Sequence, residues 1–252
     1  ARALGRFVLI VAGAGALAAM VGSVLGPLAL VAIFVVLTAC HTALVSAVLN
    51  GAAAVRARLL GDTGRVGAAM AMVGLVIGFI IIAAVYGAMM VLIAPFAEEV
   101  RAAGENQEQL TAIFNRAVES QPQVASIALA IGAVLVFYIT TRFYLAAPAS
   151  VAEGRVRAFD SWRLTRGHTL KIMGARLTLL LPALVFVWAL QSLLAVAFGF
   201  STSDAGALLA QVQANPGLFL LFFAIGLFAQ IALYGALEAA LSAALYRRIK
   251  QA

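Results

Sequence analysis

Charge is the scarcest thing in this chain. Only 11% of its 252 residues are charged and 64% are hydrophobic, whereas a water-soluble domain is about a quarter charged. Such a chain cannot cover a water-facing surface. A soluble globular enzyme, a disordered chain and a disulfide scaffold are excluded together. Cysteine is nearly absent as well. Cys40 stands alone, which removes any intrachain disulfide and any CxxC metal or redox motif. His41 and His168 are the only histidines, too few and too far apart for a metal or bis-histidine haem site. Catalytic patterns are missing too: no His-Glu-x-x-His, no Gly-x-Ser-x-Gly, no Gly-x-x-x-x-Gly-Lys-Ser/Thr, and no paired carboxylates within one apolar run. Cys40 and His41 adjoin, but neighbours on a helix point about 100° apart and do not face each other. The expectation is a protein that is not an enzyme and holds no cofactor and no metal.

What the chain has is long apolar runs. Phe7 to Asn50 contains no charged residue over 44 positions. As one helix that run would measure about 66 Å, twice a bilayer core of about 30 Å. It must fold back, and Gly22-Ser23-Val24-Leu25-Gly26-Pro27 is the punctuated place to do so. Six spans follow: about 6–23, 27–50, 67–94, 124–146, 176–198 and 217–246. Pro95 stops the third and Pro148 the fourth. The predicted class is all-α, a polytopic membrane protein forming a single transmembrane helical domain over 1–252. Arg2 and Arg6, followed by Ala16-Leu17-Ala18, also fit a cleaved signal peptide; a first span is the expectation.

Lys and Arg placement sets orientation. Of the 17 basic residues, 15 fall on one side of this layout; Arg101 and Arg116 fall on the other, with Glu98, Glu99, Glu105, Glu108, Glu119 and Asp204. The basic side is therefore expected to be cytoplasmic, with both termini there. The Ala, Gly, Val and Arg bias points to a bacterial gene, and so to the bacterial inner membrane.

Two segments on the acidic side read as short interfacial helices. Leu110, Ile113, Phe114 and Ala117 form one helical stripe, with Asn106 or Glu105 to cap its start and Pro122 to end it. Ser203-Asp204 opens a second, carrying Leu208, Leu209 and Val212. Both are expected to lie flat on the outer interface.

The cytoplasmic amphipathic loop 147–175 is the most informative stretch. Ser150 and Glu153 have capping-box spacing. Phe159, Trp162 and Arg166 share a face, with Arg155, Arg157 and Arg163 around them, and Gly167 suits a helix C′ position. An interfacial helix over Ala149 to Arg166 is expected, with its arginines at lipid phosphates. Each basic residue near an anionic surface adds about 1 kcal/mol of attraction. The expected partners are membrane lipids with anionic headgroups and a membrane-protein complex partner; no nucleic acid is expected.

Arg142-Phe143-Tyr144-Leu145-Ala146-Ala147-Pro148, then Glu153, then Ala158-Phe159-Asp160-Ser161-Trp162-Arg163-Leu164-Thr165-Arg166-Gly167, carry a likeness to a known family. So does the ending Ala244-Leu245-Tyr246-Arg247-Arg248. The pattern resembles the membrane domain found with bacterial glycerophosphodiester phosphodiesterases and the related YciC-like inner-membrane proteins. The likeness is sharp over about 30 residues and loose over the six-span layout. It implies a six-helix inner-membrane protein without an assigned activity. The phosphodiesterase barrel is absent, so its hydrolytic chemistry does not carry over.

Polar groups inside the spans are few. Glu238 is the one acid deep in a span, about 9–10 Å from the centre of the sixth. Arg142 lies at comparable depth in the fourth. Neither charge is cheap alone in hydrocarbon, so an intramembrane pair between Glu238 and Arg142 is expected. His41, Asn50, Thr140, Gln191 and Gln230 are scattered. Gly74 and Gly78 form a GxxxG pattern that permits close helix packing. The expected function is a non-catalytic accessory, scaffold or lipid-interacting protein. The alternative is a small-solute or lipid transporter or channel built on Glu238 and Arg142.

Overall fold

In the computed structural model, residues 2–23, 28–201 and 205–251 are described. They are helical throughout their main elements, and no strand occurs among them. The order is α1 Arg2–Ser23, α2 Ala29–Asn50, α3 Ala52–Ile93, a 3-10 turn at Ala94–Phe96, α4 Ala97–Ala103, α5 Gln107–Ser120 and α6 Pro122–Arg142. Then come α7 Ala146–Glu153, α8 Asp160–Leu164, α9 Thr169–Phe198, α10 Ala205–Ala214, α11 Pro216–Ala229, a π-helical stretch at Gln230–Gly235, and α12 Ala236–Gln251. Six stretches are long and apolar enough to cross a membrane: Ala3–Gly22, Ala29–Asn50, Ala52–Ala103, Pro122–Glu153, Thr169–Phe198 and Pro216–Gln251. Most of the reversal expected at 22–27, and the Ser203-Asp204 helix start, lie outside the described residues.

Several boundaries differ from the sequence reading. The helix that carries the third span starts well before Gly67. α3 starts at Ala52 and runs 42 residues, about 63 Å of helix. The Ala-, Arg- and Leu-rich start has high helix propensity. Gly61 and Gly64 are tolerated because Val55, Val66 and Ala69 are buried around them and Asp62 bridges to Arg65 one turn on. Pro122 opens α6 instead of ending α5, since a first-turn proline loses no helix hydrogen bond. α9 begins at Thr169, seven residues before Arg176.

The chain groups into two units, Ala1–Ala71 with Arg142–Ala252, and Met72–Thr141. In the larger unit, α1 packs on α2 and α11, α2 also on α7 and α12, and α9 on α11 and α12. Thr42 to Ala47 are all buried, so the second half of α2 is enclosed on every face. Its end is capped from a distance. The Arg247 guanidinium donates to the carbonyls of Val48, 2.8 Å, and Leu49, 2.6 Å. A cation there satisfies carbonyls the helix leaves open and complements its dipole. α1 and α2 meet closely at Gly15, where an added Cβ would overlap Cys40 Sγ and lie 3.1 Å from Ile231 Cδ1.

In the smaller unit, Asn106 caps α5 by accepting from the amides of Glu108 and Gln109. Ile113 and Ala117 of the expected stripe are buried. Gln121 Nε2 donates to the Leu92 carbonyl at 3.0 Å, tying the start of α6 to the end of α3. An apolar cleft of about 750 Å³ is lined by Ile81, Met89, Phe114, Leu129, Leu135 and Val136, among others. A Cβ added at Gly74 or Gly78 would meet nothing within 4 Å among the described residues, so no close helix approach within them uses the GxxxG groove. The pattern sits on a stretch where Met72, Leu75 and Phe79 are exposed.

Two glycines of α1 should separate cleanly in thermal unfolding of the detergent-solubilised protein. Gly15→Ala forces the α1–α2 contact apart and should cost about 1–3 kcal/mol. Gly13→Ala, where nothing lies within 4 Å, should be neutral or stabilising by about 0.5 kcal/mol.

Candidate functional site

The larger unit contains a break in a helix where backbone is hardest to break. α6 ends at Arg142, residues 143–145 turn, and α7 resumes at Ala146. Every residue from Arg142 to Val151 is buried. A buried amide or carbonyl without a partner costs about 1–3 kcal/mol, and a broken helix leaves several. Two hydroxyls from the following loop close the gap. Ser161 Oγ donates to the Arg142 carbonyl at 3.0 Å and accepts from the Leu145 amide at 3.0 Å. Thr165 Oγ1 reaches the same Arg142 carbonyl at 3.2 Å. Both side chains are fully enclosed.

This arrangement corrects the expected helix over Ala149 to Arg166. α7 stops at Glu153 because Gly154 takes a left-handed conformation, φ +65°. α8 is only five residues long. Ser150 is not a capping residue but an internal one. Its hydroxyl donates to the Ala146 carbonyl at 2.7 Å and accepts from the Arg157 amide at 3.0 Å. Gly167, at φ +81°, is in the left-handed region, but α8 ends at Leu164 with Thr165 as its C-cap, so the glycine turns the chain one residue beyond the C′ position.

Ion pairs then set the loop's shape. Glu153 accepts from Lys250 Nζ at 2.9 Å and from the Tyr246 hydroxyl at 3.2 Å through Oε1. Its Oε2 faces Arg157 and, at 3.9 Å, Arg155. Arg157 also bonds Asp160, which pairs with Arg163 at 3.3 Å. Burial works against the Arg157 charge, but Asp160 and Glu153 outweigh it and hold the guanidinium above its ordinary range. Arg157 therefore faces inward between two carboxylates, 17% exposed, and is not among the arginines presented outward. Arg155 and Arg163 remain 65% and 81% exposed. Arg166 is exposed and makes no ion pair among the described residues. Phe159 and Trp162 are exposed at their outer edges and flank Phe143, with ring centroids 6.0 Å and 5.5 Å away.

The expected pair between Glu238 and Arg142 is not formed directly. Arg142 is turned toward α8 and α9. Its guanidinium lies 4.4 Å from the Trp162 ring centroid, and Nη1 donates to Thr169 Oγ1 at 3.0 Å. Only 6% of the residue is exposed, and its Nε has no hydrogen-bond partner. Glu238, half-buried on α12, keeps company with Tyr144, Tyr234 and Arg176. Tyr144 donates to its backbone carbonyl at 3.2 Å, and the Arg176 guanidinium stacks 4.7 Å from the Tyr144 ring centroid. The cause is the break itself. Ending α6 at Arg142 sends that side chain to the loop, while Tyr144 in the turn faces α12. Gln191 and Gln230, scattered in sequence, meet at 3.4 Å, with Gln230 opening the π-helical stretch.

A separate polar pocket of about 440 Å³ lies between the first turns of α3 and the end of α7, lined by Arg58, Asp62, Arg65, Glu153 and Gly154 among others. No sequence motif marks Asp62 or Arg176. One signal was available for Asp62, the only acid among the first 97 residues.

Ser161→Ala strands the Leu145 amide and removes one of two donors to the Arg142 carbonyl. It should lower stability by about 1–3 kcal/mol in thermal or denaturant unfolding. Ser192→Ala, a half-buried residue whose hydroxyl donates to the Trp188 carbonyl one turn back in its own helix, should stay within about 0.5 kcal/mol of the parent.

Comparison with known proteins adds no relative: no family model matches the chain, and no curated protein or solved structure is significantly similar to it.

Proposed function

We propose that this is a multi-pass protein of the bacterial inner membrane, with both termini cytoplasmic, akin to the YciC-like membrane domains. It acts without catalysis, as an accessory or lipid-interacting factor that holds anionic headgroups and seats a membrane-protein partner at its basic loop. One observation carries this reading. Glu153 and Asp160 hold Arg157 between them and stiffen the loop, while Arg155, Arg163 and Arg166 stay exposed beside the outer edges of Phe159 and Trp162. Outward cations next to aromatic rings match the headgroup layer, where charge meets phosphate and rings meet the acyl boundary. Less supports the rival reading of a transporter or channel, because Arg142 stacks on Trp162 instead of pairing with Glu238.

Changing Arg155, Arg163 and Arg166 together to Gln should weaken binding of phosphatidylglycerol vesicles by more than about tenfold, at about 1 kcal/mol per residue. The loss should shrink as salt rises. Unchanged binding would remove the reading. Orientation is tested separately with single cysteines in a Cys40→Ala background. Gln107→Cys should react with an impermeant maleimide in intact cells, and Val156→Cys only after lysis.

A further inference from the structure

Asp62 is an acid enclosed in an unusual way. Its side chain is 2% exposed. Oδ1 accepts from Arg65 Nη1 at 2.8 Å, but Oδ2 has no hydrogen-bond partner. A buried carboxylate oxygen left unsatisfied is costly, and the residue lines the polar pocket of about 440 Å³. The other carboxylate there, Glu153, already has both oxygens engaged by Lys250, Tyr246, Arg157 and Arg155. So one carboxylate oxygen of a lining residue, enclosed by the protein, is left without a hydrogen-bond partner. The pocket also offers two cations: Arg58, exposed and without an ion pair among the described residues, and Arg65, 40% exposed and held by Asp62 on one side.

That inventory defines a ligand. One oxygen is too little for a metal ion, and no group of three or more His, Cys, Asp or Glu side chains gathers among the described residues. One oxygen suits a single N–H donor. Two guanidinium groups at the rim suit a phosphate. We propose that this pocket binds a primary ammonium joined to a phosphate by a short linker, as in the phosphoethanolamine group. The ammonium donates to Asp62 Oδ2, and the phosphate sits between Arg58 and Arg65. A quaternary ammonium has no N–H to give and is bulkier, so a choline headgroup is excluded. An anionic headgroup without an amine leaves Asp62 unsatisfied. The proposal rests on the membrane-spanning reading but is independent of the outward arginines of the loop.

The purified chain in detergent is titrated with short-chain phosphatidylethanolamine, phosphatidylcholine and phosphatidylglycerol, with bound lipid counted by native mass spectrometry. Phosphatidylethanolamine should bind at least about tenfold more tightly than phosphatidylcholine, the scale of one charge-assisted hydrogen bond. Asp62→Asn should abolish that preference. Ala57→Phe, which adds bulk at another lining position and keeps the Asp62 carboxylate, should abolish it as well and remains decisive if Asp62→Asn fails to fold. Equal binding of the two zwitterionic lipids by the parent, or an undiminished preference in Ala57→Phe, overturns the proposal. Free phosphoethanolamine separates the sources. If it competes at concentrations similar to the lipid, the ligand is a soluble aminoalkyl phosphate; if it does not, the ligand is the lipid. The Gln triple variant at Arg155, Arg163 and Arg166 should keep the ethanolamine preference while losing phosphatidylglycerol. Loss of the ethanolamine preference in that variant alone would assign it to the loop and overturn the pocket. Retained phosphatidylglycerol binding would defeat only the loop's role.

Discussion

Much of the larger unit depends on one constraint: the backbone between α6 and α7 is broken where no water is available to repair it. Inside a helix every amide and carbonyl is matched within the segment, which is why helices suit hydrocarbon. At Arg142 that self-sufficiency ends. Ser161 and Thr165 must then be in place, and both are fully buried doing so. The requirement propagates along the loop. Thr165 brings Thr169 with it, whose hydroxyl donates to the Thr165 carbonyl at 3.0 Å and accepts from Arg142. Thr169 is also the first residue of α9. The loop is therefore folded back over the break, and its outer surface is a by-product of the inner hydrogen bonds.

Charge is distributed by the same folding. Arg142, Arg157 and Arg176 are drawn inward and given different partners: an indole ring and a hydroxyl, two carboxylates, and a phenol ring. Arg142 is the least compensated, with a cation–π contact standing where a counter-ion is usual. Such contacts gain strength when desolvated, to about 2 kcal/mol or more. Arg247 reaches across to the end of α2 and joins the C-terminal helix to the most enclosed helix of the unit. What remains outward is a short row of arginines on a platform tied down at Glu153, which joins α7 to both Lys250 and Tyr246 of α12.

The residues behind the family likeness take on a physical meaning here. Ser161, Thr165 and Gly167 are the hydroxyl, hydroxyl and left-handed glycine that close the break and end the turn. Glu153 is the hub of the ion pairs. A pattern of that kind can reflect a folding requirement as readily as a binding one. The chemistry that recognises a ligand has to be sought in groups with capacity left over, such as Asp62 Oδ2 or the outward arginines.

Hydropathy alone determined that this chain is helical, how many helices are long and apolar enough to cross a membrane, and roughly where each lies, because a twenty-residue apolar run needs no information beyond itself. The Asn106 cap and the Gly167 turn were legible for the same reason: their signals are local. The start of α3 was not, since Gly61 and Gly64 look like a linker until Val55, Val66 and Ala69 are seen buried around them. Nor was the fate of Arg142 and Glu238. Depth along a span can be counted from sequence, but azimuth cannot. A break of three residues after Arg142 rotated that side chain toward Trp162 and left Glu238 facing Tyr144, Tyr234 and Arg176. Only the tertiary structure decided which polar groups meet, because meeting depends on rotation about helix axes and on side chains that arrive from far along the chain.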